Sequence, residues 1–542
     1  HKADPQGRPT RPTHKADPQG RRPVLMADPP RATAWNNAGR AHCHALRGGA
    51  PRPDMAFDLV LFGGTGDLAW RKLLPALFQA HRHGTLPSGG RILAVGRSAW
   101  RDDDYRRWLR ERFRDVEEGK RPADGEFERF AAIVHFLELD LSRSADYARL
   151  AAWLASGAPV RGGGAIVFYL ATGPQLFPVV CSELARAGLN GPNARVVLEK
   201  PLGRDLASAR EINRVVRDAF DEARALRIDH YLGKPAVQNL LALRFGNVLF
   251  EPLWRRECVA NVQVTIAESI GVGTRGGFYD DTGALRDMIQ NHALQLLAMI
   301  AMEPPSRLAP DDIHARKLEV LRALAPFDEV SARRDVVRGQ YLTGHIDGDR
   351  VPGYREEERV PRDSRTETFV ALRAEVRNWR WAGVPFYLRT GKRLASRNAE
   401  IVVEFRPTPL ALFPGANRPN KLVIKLQPED GLELHLSAAR GTAAGEELAP
   451  VFLDLDFDKA FGQARVGAYE RLLLDAIAGR TSLFVRSDEQ EEAWRWVEPV
   501  LDDWTRDAAS SRGPDPYVAG SMGPEAASAL VARDGFAWEE AR

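Results

Sequence analysis

Between positions 229 and 234 the chain places a carboxylate, an imidazole, a phenol and an ammonium: Asp229, His230, Tyr231 and Lys234, with Gly233 allowing close backbone approach. His230, Tyr231 and Lys234 are donors suited to a phosphate monoester. Asp229 is not, because a carboxylate beside a phosphate needs its own cation or histidine. His292 is the candidate for that partner. On a helix its neighbours Leu285, Met288 and Leu296 form an apolar face, so a core histidine with one satisfied nitrogen is the alternative reading. Asp287 and Asn291 on the same segment are polar groups that no core helix would choose.

A second constellation opens the folded part of the chain. An apolar run leads straight into Gly63-Gly64-Thr65-Gly66-Asp67-Leu68 and then a helical pattern. Glycines there let the backbone approach a pyrophosphate, and the helix start offers free N–H groups and a positive dipole end. The spacing is GxxG, with Ala69 at the third position of the fuller fingerprint. After the next strand comes Arg97, where an NAD enzyme places Asp or Glu for the ribose 2′-hydroxyl; an arginine suits a 2′-phosphate, so NADP is the expected coenzyme. A plain surface charge is the other reading of Arg97. Glu199-Lys200-Pro201 closes a later strand, which sets Lys200 at the edge of the sheet where ligands bind.

The elements that must hold these groups follow from periodicity. Strands at 56–62, 91–96, 133–140, 165–171, 195–200 and 225–232 alternate with helices at 66–84, 102–119, 144–156, 175–188 and 205–224. Apolar strands separated by amphipathic helices predict a parallel sheet covered on both faces. After about position 235 the texture changes to near-successive strands at 262–269, 369–376, 385–391, 400–407, 421–428 and 432–438, with PEDG (428–431) as a hairpin turn. That predicts a second, α+β domain interrupted by one strong helix over 283–302, with another at 468–479. The expected division is 55–234 and 235–542.

Composition narrows the class. At 542 residues with 44% hydrophobic and 27% charged residues, the chain is that of a globular protein of two large domains. The longest apolar stretches, such as 294–302, fall short of a membrane span. Residues 1–54 carry ten Lys/Arg against four Asp, net +6, which leaves −3 for the rest, so no nucleic-acid partner is expected. Cys43, Cys181 and Cys258 show no metal-ligand spacing and leave one thiol unpaired, which points to a reducing compartment and a cytoplasmic location. HKADPQGR occurs at 1–8 and again at 14–21; this Pro-, Arg- and Gly-rich stretch contains no Ser and is read as a disordered, dispensable extension of residues 1–54, with Met55 a sensible start.

FGGTGDLAWRKLLPAL, VFYLATGP, LEKPLGRDL, RIDHYLGK, VQNLLALRF, GGFYDDTGALRDMIQNH, PFYLRTGKRL and YERLLLDAIAG follow one another in order. In this the chain resembles the glucose-6-phosphate dehydrogenase family, from about Phe57 to about Pro499, with RIDHYLGK and RDMIQNH the most specific matches. The resemblance implies a Rossmann-type coenzyme domain and a large α+β domain whose mainly antiparallel sheet builds the interface of a homodimer or homotetramer. It implies oxidation of D-glucose 6-phosphate to 6-phosphoglucono-1,5-lactone with reduction of NADP, NAD being a weaker alternative, at the entry to the oxidative pentose phosphate pathway, without a metal. His292 is then the general base at the C1 hydroxyl and Asp229 the carboxylate that orients it. His230, Tyr231 and Lys234 form the phosphate site. Lys200, Glu268, Asp287 and Lys392 contact the sugar hydroxyls, and Arg397 falls at a second substrate cation. Gly63, Thr65, Gly66, Asp67, Leu68, Arg97, Tyr169 and Lys200 contact the coenzyme.

Two departures stand out. Pro235 follows RIDHYLGK where the family usually has Glu, although proline suits the first turn of the helix expected at 235–245. Thr172-Gly173-Pro174 replaces a Pro-Pro pair common among relatives. Two other readings stay open at this point: a different two-domain sugar or inositol oxidoreductase, and a catalytically silent NADP-binding protein.

Overall fold

Short aliphatic runs, each followed by an amphipathic segment, build the first half of the molecule. The structure, a computed structural model, describes residues 56–116, 121–123, 125–157, 164–413, 418–442, 445–461, 466–507 and 513–540. The expected extension of residues 1–54 and Met55 lie outside the described residues. Strands β1 (Phe57–Phe62), β2 (Gly90–Gly96), β3 (Val134–Glu138), β4 (Ala165–Leu170), β5 (Ala194–Leu198) and β6 (Ala225–Ile228) pair in parallel in the order β6-β5-β4-β1-β2-β3. Alternate side chains of β1 enter two cores: Phe57, Leu59 and Leu61 pack with Leu77, Phe78 and Tyr105, while Val60 and Phe62 pack with Phe177, Val180 and Leu184. Burial on both faces is why these strands read as unbroken apolar runs. The strand order reverses at β1, between β2 and β4, so the crevice beyond their carboxyl ends is where a ligand fits.

The second half is built on β7 (Val259–Ala267), β8 (Val336–Leu342), β9 (Gly344–Ile346), β10 (Asp349–Val351), β11 (Phe369–Glu375), β12 (Pro385–Gly391), β13 (Asn398–Phe405), β14 (Lys421–Gln427), β15 (Gly431–Thr442) and β16 (Gly445–Asp456), with β17 (Phe484–Val485) and β18 (Asp515–Val518) following late in the chain. The large sheet runs β16-β15-β14-β13-β7-β12-β11-β8-β18; only β7–β12 and β8–β18 pair in parallel. The fold is thus a Rossmann-type α/β domain with a mainly antiparallel α+β domain. Val262, Val264, Ile266, Leu388 and Ile401 bury one face of this sheet against Leu285, Ile289, Leu296 and Trp496, so the helical segment bearing His292 lies directly on it. Among the described residues no helix is long and apolar enough to cross a membrane.

Several strands escape a reading by period. β8 (VVRGQYL) carries Arg338 and Gly339 mid-run, and β18 (DPYV) is four residues with a proline, tolerated because it forms the sheet edge. β17 is two residues long, yet it adds antiparallel to β6 and so becomes a seventh strand of the first sheet. The helix Ala468–Ala478 accompanies it, burying Leu472, Leu473 and Ile477 in the core formed by Leu74 and Phe78. The late chain therefore completes the first sheet and its core.

Candidate active site

Beyond Ile228, the last residue of β6, the chain turns sharply. Tyr231 N–H donates to Asp229 Oδ1 at 2.9 Å, Leu232 N–H to Asp229 O at 3.1 Å and Lys234 N–H to Tyr231 O at 3.0 Å. This turn presents consecutive side chains at the end of the sheet. Pro235 then takes the first position of the helix Pro235–Gly246, as its missing N–H allows.

The partner histidine arrives on a widened helix. The segment expected as one α-helix over 283–302 is π-helical from Leu285 to Ala293 and α-helical from Leu294 to Ala301. In an α-helix, residues five apart point roughly 140° from one another. In the i→i+5 register of a π-helix they become neighbours along the axis. Asp287 and His292 are five apart and meet at a single ammonium: Lys200 Nζ donates to Asp287 Oδ1 at 3.1 Å and Asp287 O at 2.9 Å, and lies 3.0 Å from His292 Nε2. His292 therefore shares a face with Asp287, which α-helical spacing would set apart.

Asp229 and His292 form a wholly buried pair, with His292 Nδ1 2.6 Å from Asp229 Oδ1. Burial favours the neutral imidazole and outweighs the pull of the Asp229 charge, so the pKa of His292 is lowered. For Asp229 burial acts upward, but the His292 contact and the Tyr231 N–H overcome it and hold the carboxyl below the usual carboxylate range. Nδ1–H therefore donates to an ionised carboxylate, and the Nε2 lone pair faces Lys200. His230 packs edge-on to His292 with ring centroids 4.5 Å apart, and Tyr231 lies at 4.5 Å on a tilt. Burial first, with the nearby Lys200 ammonium adding to it, holds His230 far below its usual pKa. Asp229, His230 and His292 converge closely enough to ligate a metal ion, but the Lys200 ammonium stands on the Nε2 side and repels a cation there.

A cavity of about 380 Å³ adjoins this cluster, lined by Lys200, His230, Tyr231, Glu268, Asp287, Lys392 and Arg397, and also by Arg275, Phe278, Tyr279 and Gln427. Lys392 Nζ donates to Glu268 Oε2 at 2.6 Å and lies 3.9 Å from Asp287 Oδ2. Lys234 stands behind Tyr231, its ammonium 4.5 Å over the ring and bonded to Gln427 Oε1 at 2.8 Å and Leu426 O at 3.2 Å. Both acceptors are neutral. Burial lowers the Lys234 pKa to about 8, Asp430 opposing and Arg397 adding to the fall. An ammonium on neutral acceptors, with the Arg397 guanidinium close enough to act on it, suits an anion.

A second cavity of about 740 Å³ includes Leu68, Pro174, Gln175, Glu199, Asn291 and Tyr469 in its walls, and shares Lys200, Arg275, Phe278 and Asp287 with the first. Lys200 and Asp287 thus form the seam between them. Above β1, Gly63 is held at φ 81°, and a Cβ there would lie 2.6 Å from Ala171 O; one on Gly64 would lie 2.6 Å from the Ala94 Cβ. This tight turn, with Thr65 half-buried and Gly66 and Asp67 exposed before the helix, fits a dinucleotide pyrophosphate. Arg97 is exposed just past β2. Tyr169 sits differently from its expected place: it is wholly buried on β4, its hydroxyl donating to Glu199 Oε1 at 2.5 Å, behind the wall rather than on it.

Arg275, Phe278, Tyr279, Gln427 and Tyr469 line the cavities without having been singled out from the sequence. Their signals were present, since Phe278 and Tyr279 belong to GGFYDD, Tyr469 opens the YERLLLDAIAG run, and Gln427 precedes the hairpin turn.

The family described as glucose-6-phosphate dehydrogenase, NAD binding domain, matches residues 60–239, and glucose-6-phosphate dehydrogenase, C-terminal domain, matches residues 241–539, well past Pro499. A nicotinamide dinucleotide is therefore the coenzyme type. The chain is 48% identical over 492 residues to glucose-6-phosphate 1-dehydrogenase of Mycolicibacterium smegmatis, covering 90% of this chain and 98% of the relative. It is 45% identical to that of Dickeya dadantii, again over 90% and 98%. A solved glucose-6-phosphate dehydrogenase in complex with its substrate glucose-6-phosphate superposes with a TM-score of 0.80 at 32% identity, covering 89% of this chain and 98% of that one. The glucose-6-phosphate 1-dehydrogenase structure from Mycobacterium avium gives 0.76 at 38% identity, with the same coverage. The chain belongs to the glucose-6-phosphate dehydrogenase family.

Proposed function

We propose that the chain oxidises D-glucose 6-phosphate to 6-phosphoglucono-1,5-lactone while reducing NADP, the first step of the oxidative pentose phosphate pathway, as a cytoplasmic homodimer or homotetramer. The observation that carries this reading is the buried Asp229–His292 pair with Nε2 directed at the seam between the two cavities. The C1 hydroxyl takes the place of the Lys200 ammonium at Nε2 and gives its proton to the neutral imidazole as hydride leaves C1. Asp229 keeps the Nδ1–H tautomer in place and stabilises the imidazolium that forms. A bound nicotinamide ring supplies the hydride acceptor. Lys200, displaced from Nε2, joins Glu268, Asp287 and Lys392 on the sugar hydroxyls. Lys234 and Arg397 supply charge to the phosphate, with His230 and Tyr231 as neutral donors. Residues 55–234 hold the coenzyme, chiefly through Gly63, Thr65, Gly66, Asp67, Leu68 and Arg97, and 235–542 carry most of the sugar site.

Initial rates of NADP reduction with glucose 6-phosphate, glucose and galactose 6-phosphate test the assignment. The expected result is a strong preference for the first; equal rates with glucose overturn it. Coenzyme choice has its own test. Arg97→Asp removes the exposed cation beyond β2 and supplies an acceptor for a 2′-hydroxyl. The ratio of NADP to NAD efficiency is expected to fall. An unchanged ratio would make Arg97 an ordinary surface charge.

A further inference from the structure

The loop after β12 carries two cations of the sugar cavity, Lys392 and Arg397. Its first residues are fixed from two sides. On one, Arg393 N–H donates to Ile270 O at 3.2 Å and Leu394 N–H to Glu268 O at 3.0 Å. On the other, the C-terminal segment reaches in: Gly520 N–H donates to Arg393 O at 2.8 Å, and Ala395 N–H to Ser521 O at 3.0 Å. Arg393 itself stands at φ 53°, a left-handed conformation that a side-chain-bearing residue keeps only where its surroundings over-determine it.

Within this clamp Lys392 N–H donates to Thr368 O at 2.9 Å, and one side chain reaches the Lys392 carbonyl. Tyr517, on the edge strand β18 and only 4% exposed, donates its hydroxyl to Lys392 O at 2.7 Å. That hydroxyl also lies 3.0 Å from Thr368 Oγ1, which accepts Tyr341 N–H at 3.1 Å. Thr368 O is a second acceptor 3.3 Å from the same hydroxyl, and the shorter bond to the Lys392 carbonyl sets the direction of the rest. Tyr341 N–H donates to Thr368 Oγ1, Thr368 Oγ1–H to the Tyr517 oxygen, and Tyr517 O–H to the Lys392 carbonyl. Such a chain of like-directed bonds is mutually strengthening in a buried setting. It ends on the residue whose ammonium reaches Glu268 at 2.6 Å in the sugar cavity.

We propose that Tyr517 is a positioning residue for the substrate: its hydroxyl fixes the Lys392 backbone, and so the direction from which the Lys392 ammonium meets the sugar. Tyr517 is outside the cavity wall and acts only through Lys392. The inference rests on the assignment of Lys392 to the sugar made above.

Tyr517→Phe leaves the Lys392 carbonyl without its buried donor. KM for glucose 6-phosphate is expected to rise roughly three- to tenfold, the factor that corresponds to one lost hydrogen bond. The expected kcat is within about twofold of wild type and the KM for NADP unchanged, a split that a general loss of stability does not produce. In a Lys392→Ala background the same change is expected to add nothing further, because the effect runs through that ammonium. An unchanged KM for glucose 6-phosphate, a parallel rise in both Michaelis constants, or full additivity with Lys392→Ala overturns the proposal. If Tyr517→Phe does not fold, Thr368→Val, which removes the donor to the tyrosine oxygen, is measured against the same criteria. A wild-type enzyme indifferent to the sugar phosphate would overturn the substrate assignment and this proposal with it. A wild type that requires the phosphate, with Tyr517→Phe unaltered, overturns this proposal alone.

Discussion

His292→Asn is expected to lower kcat by roughly 10²–10⁴-fold, the usual worth of a positioned general base, with KM for glucose 6-phosphate little changed. Asparagine retains a polar group to face Asp229 but has no basic nitrogen to take the C1 proton. Lys234 and Arg397, the cations assigned to the phosphate, are untouched by the change. The pH profile gives the same residue a second signature. Because burial lowers its pKa, the imidazole remains neutral and competent across neutral pH. Wild-type kcat/KM should therefore stay level as pH falls through the ordinary histidine value of 6.5 and decline only below it. In His292→Asn that acid limb disappears. Turnover within a few-fold of wild type would remove His292 from the proton-transfer step.

Lys234→Ala is expected to raise KM for glucose 6-phosphate by roughly 10–100-fold. The sugar phosphate carries nearly two negative charges at neutral pH, and a partly enclosed ammonium hydrogen bond to it contributes about 1.5–3 kcal/mol, which corresponds to that factor. The ammonium rests on the neutral acceptors Gln427 Oε1 and Leu426 O, with Asp430 acting on it only at longer range, so among the described residues a phosphate has no hydrogen-bonded carboxylate to displace. KM for NADP should hardly move, because the proposed function assigns the pyrophosphate to the Gly63–Gly66 turn. A lysine lowered to about 8 is charged below that pH and neutral above it. The wild-type KM for glucose 6-phosphate is therefore expected to climb as pH rises through that region, and Lys234→Ala should lack the climb. Efficient use of unphosphorylated glucose by the wild type would mean that no phosphate site exists here, and the sugar-oxidoreductase alternative would replace this assignment.

What was legible in the sequence follows the range of the interactions. β1 to β6 could be read because strands buried on both faces are short aliphatic runs. Asp229, His230, Tyr231 and Lys234 could be read together because a single turn holds them, and the need of Asp229 for a partner led to a histidine 63 positions away. The bond between Lys200 and His292 could not be read that way. It spans 92 positions and depends on a π-helical register that has no apolar period of its own. Tyr169 was misplaced for a related reason, since a tyrosine at a strand end gives no sign of whether it faces the cavity or, as here, Glu199 beneath it. The clamp on Lys392 comes from β18, too short and too proline-bearing to register as a strand.

Lys200 belongs to both cavities, and its ammonium now rests on the nitrogen that the sugar must reach. Under the proposed function sugar entry turns this side chain, which also lines the larger cavity assigned to the coenzyme. Thermodynamic linkage makes that interference symmetrical: whatever factor the sugar imposes on coenzyme affinity, the coenzyme imposes on sugar affinity. The two ligands are thus not independent occupants of neighbouring rooms, and a dissociation constant measured for either one alone describes a different wall from the one present during turnover.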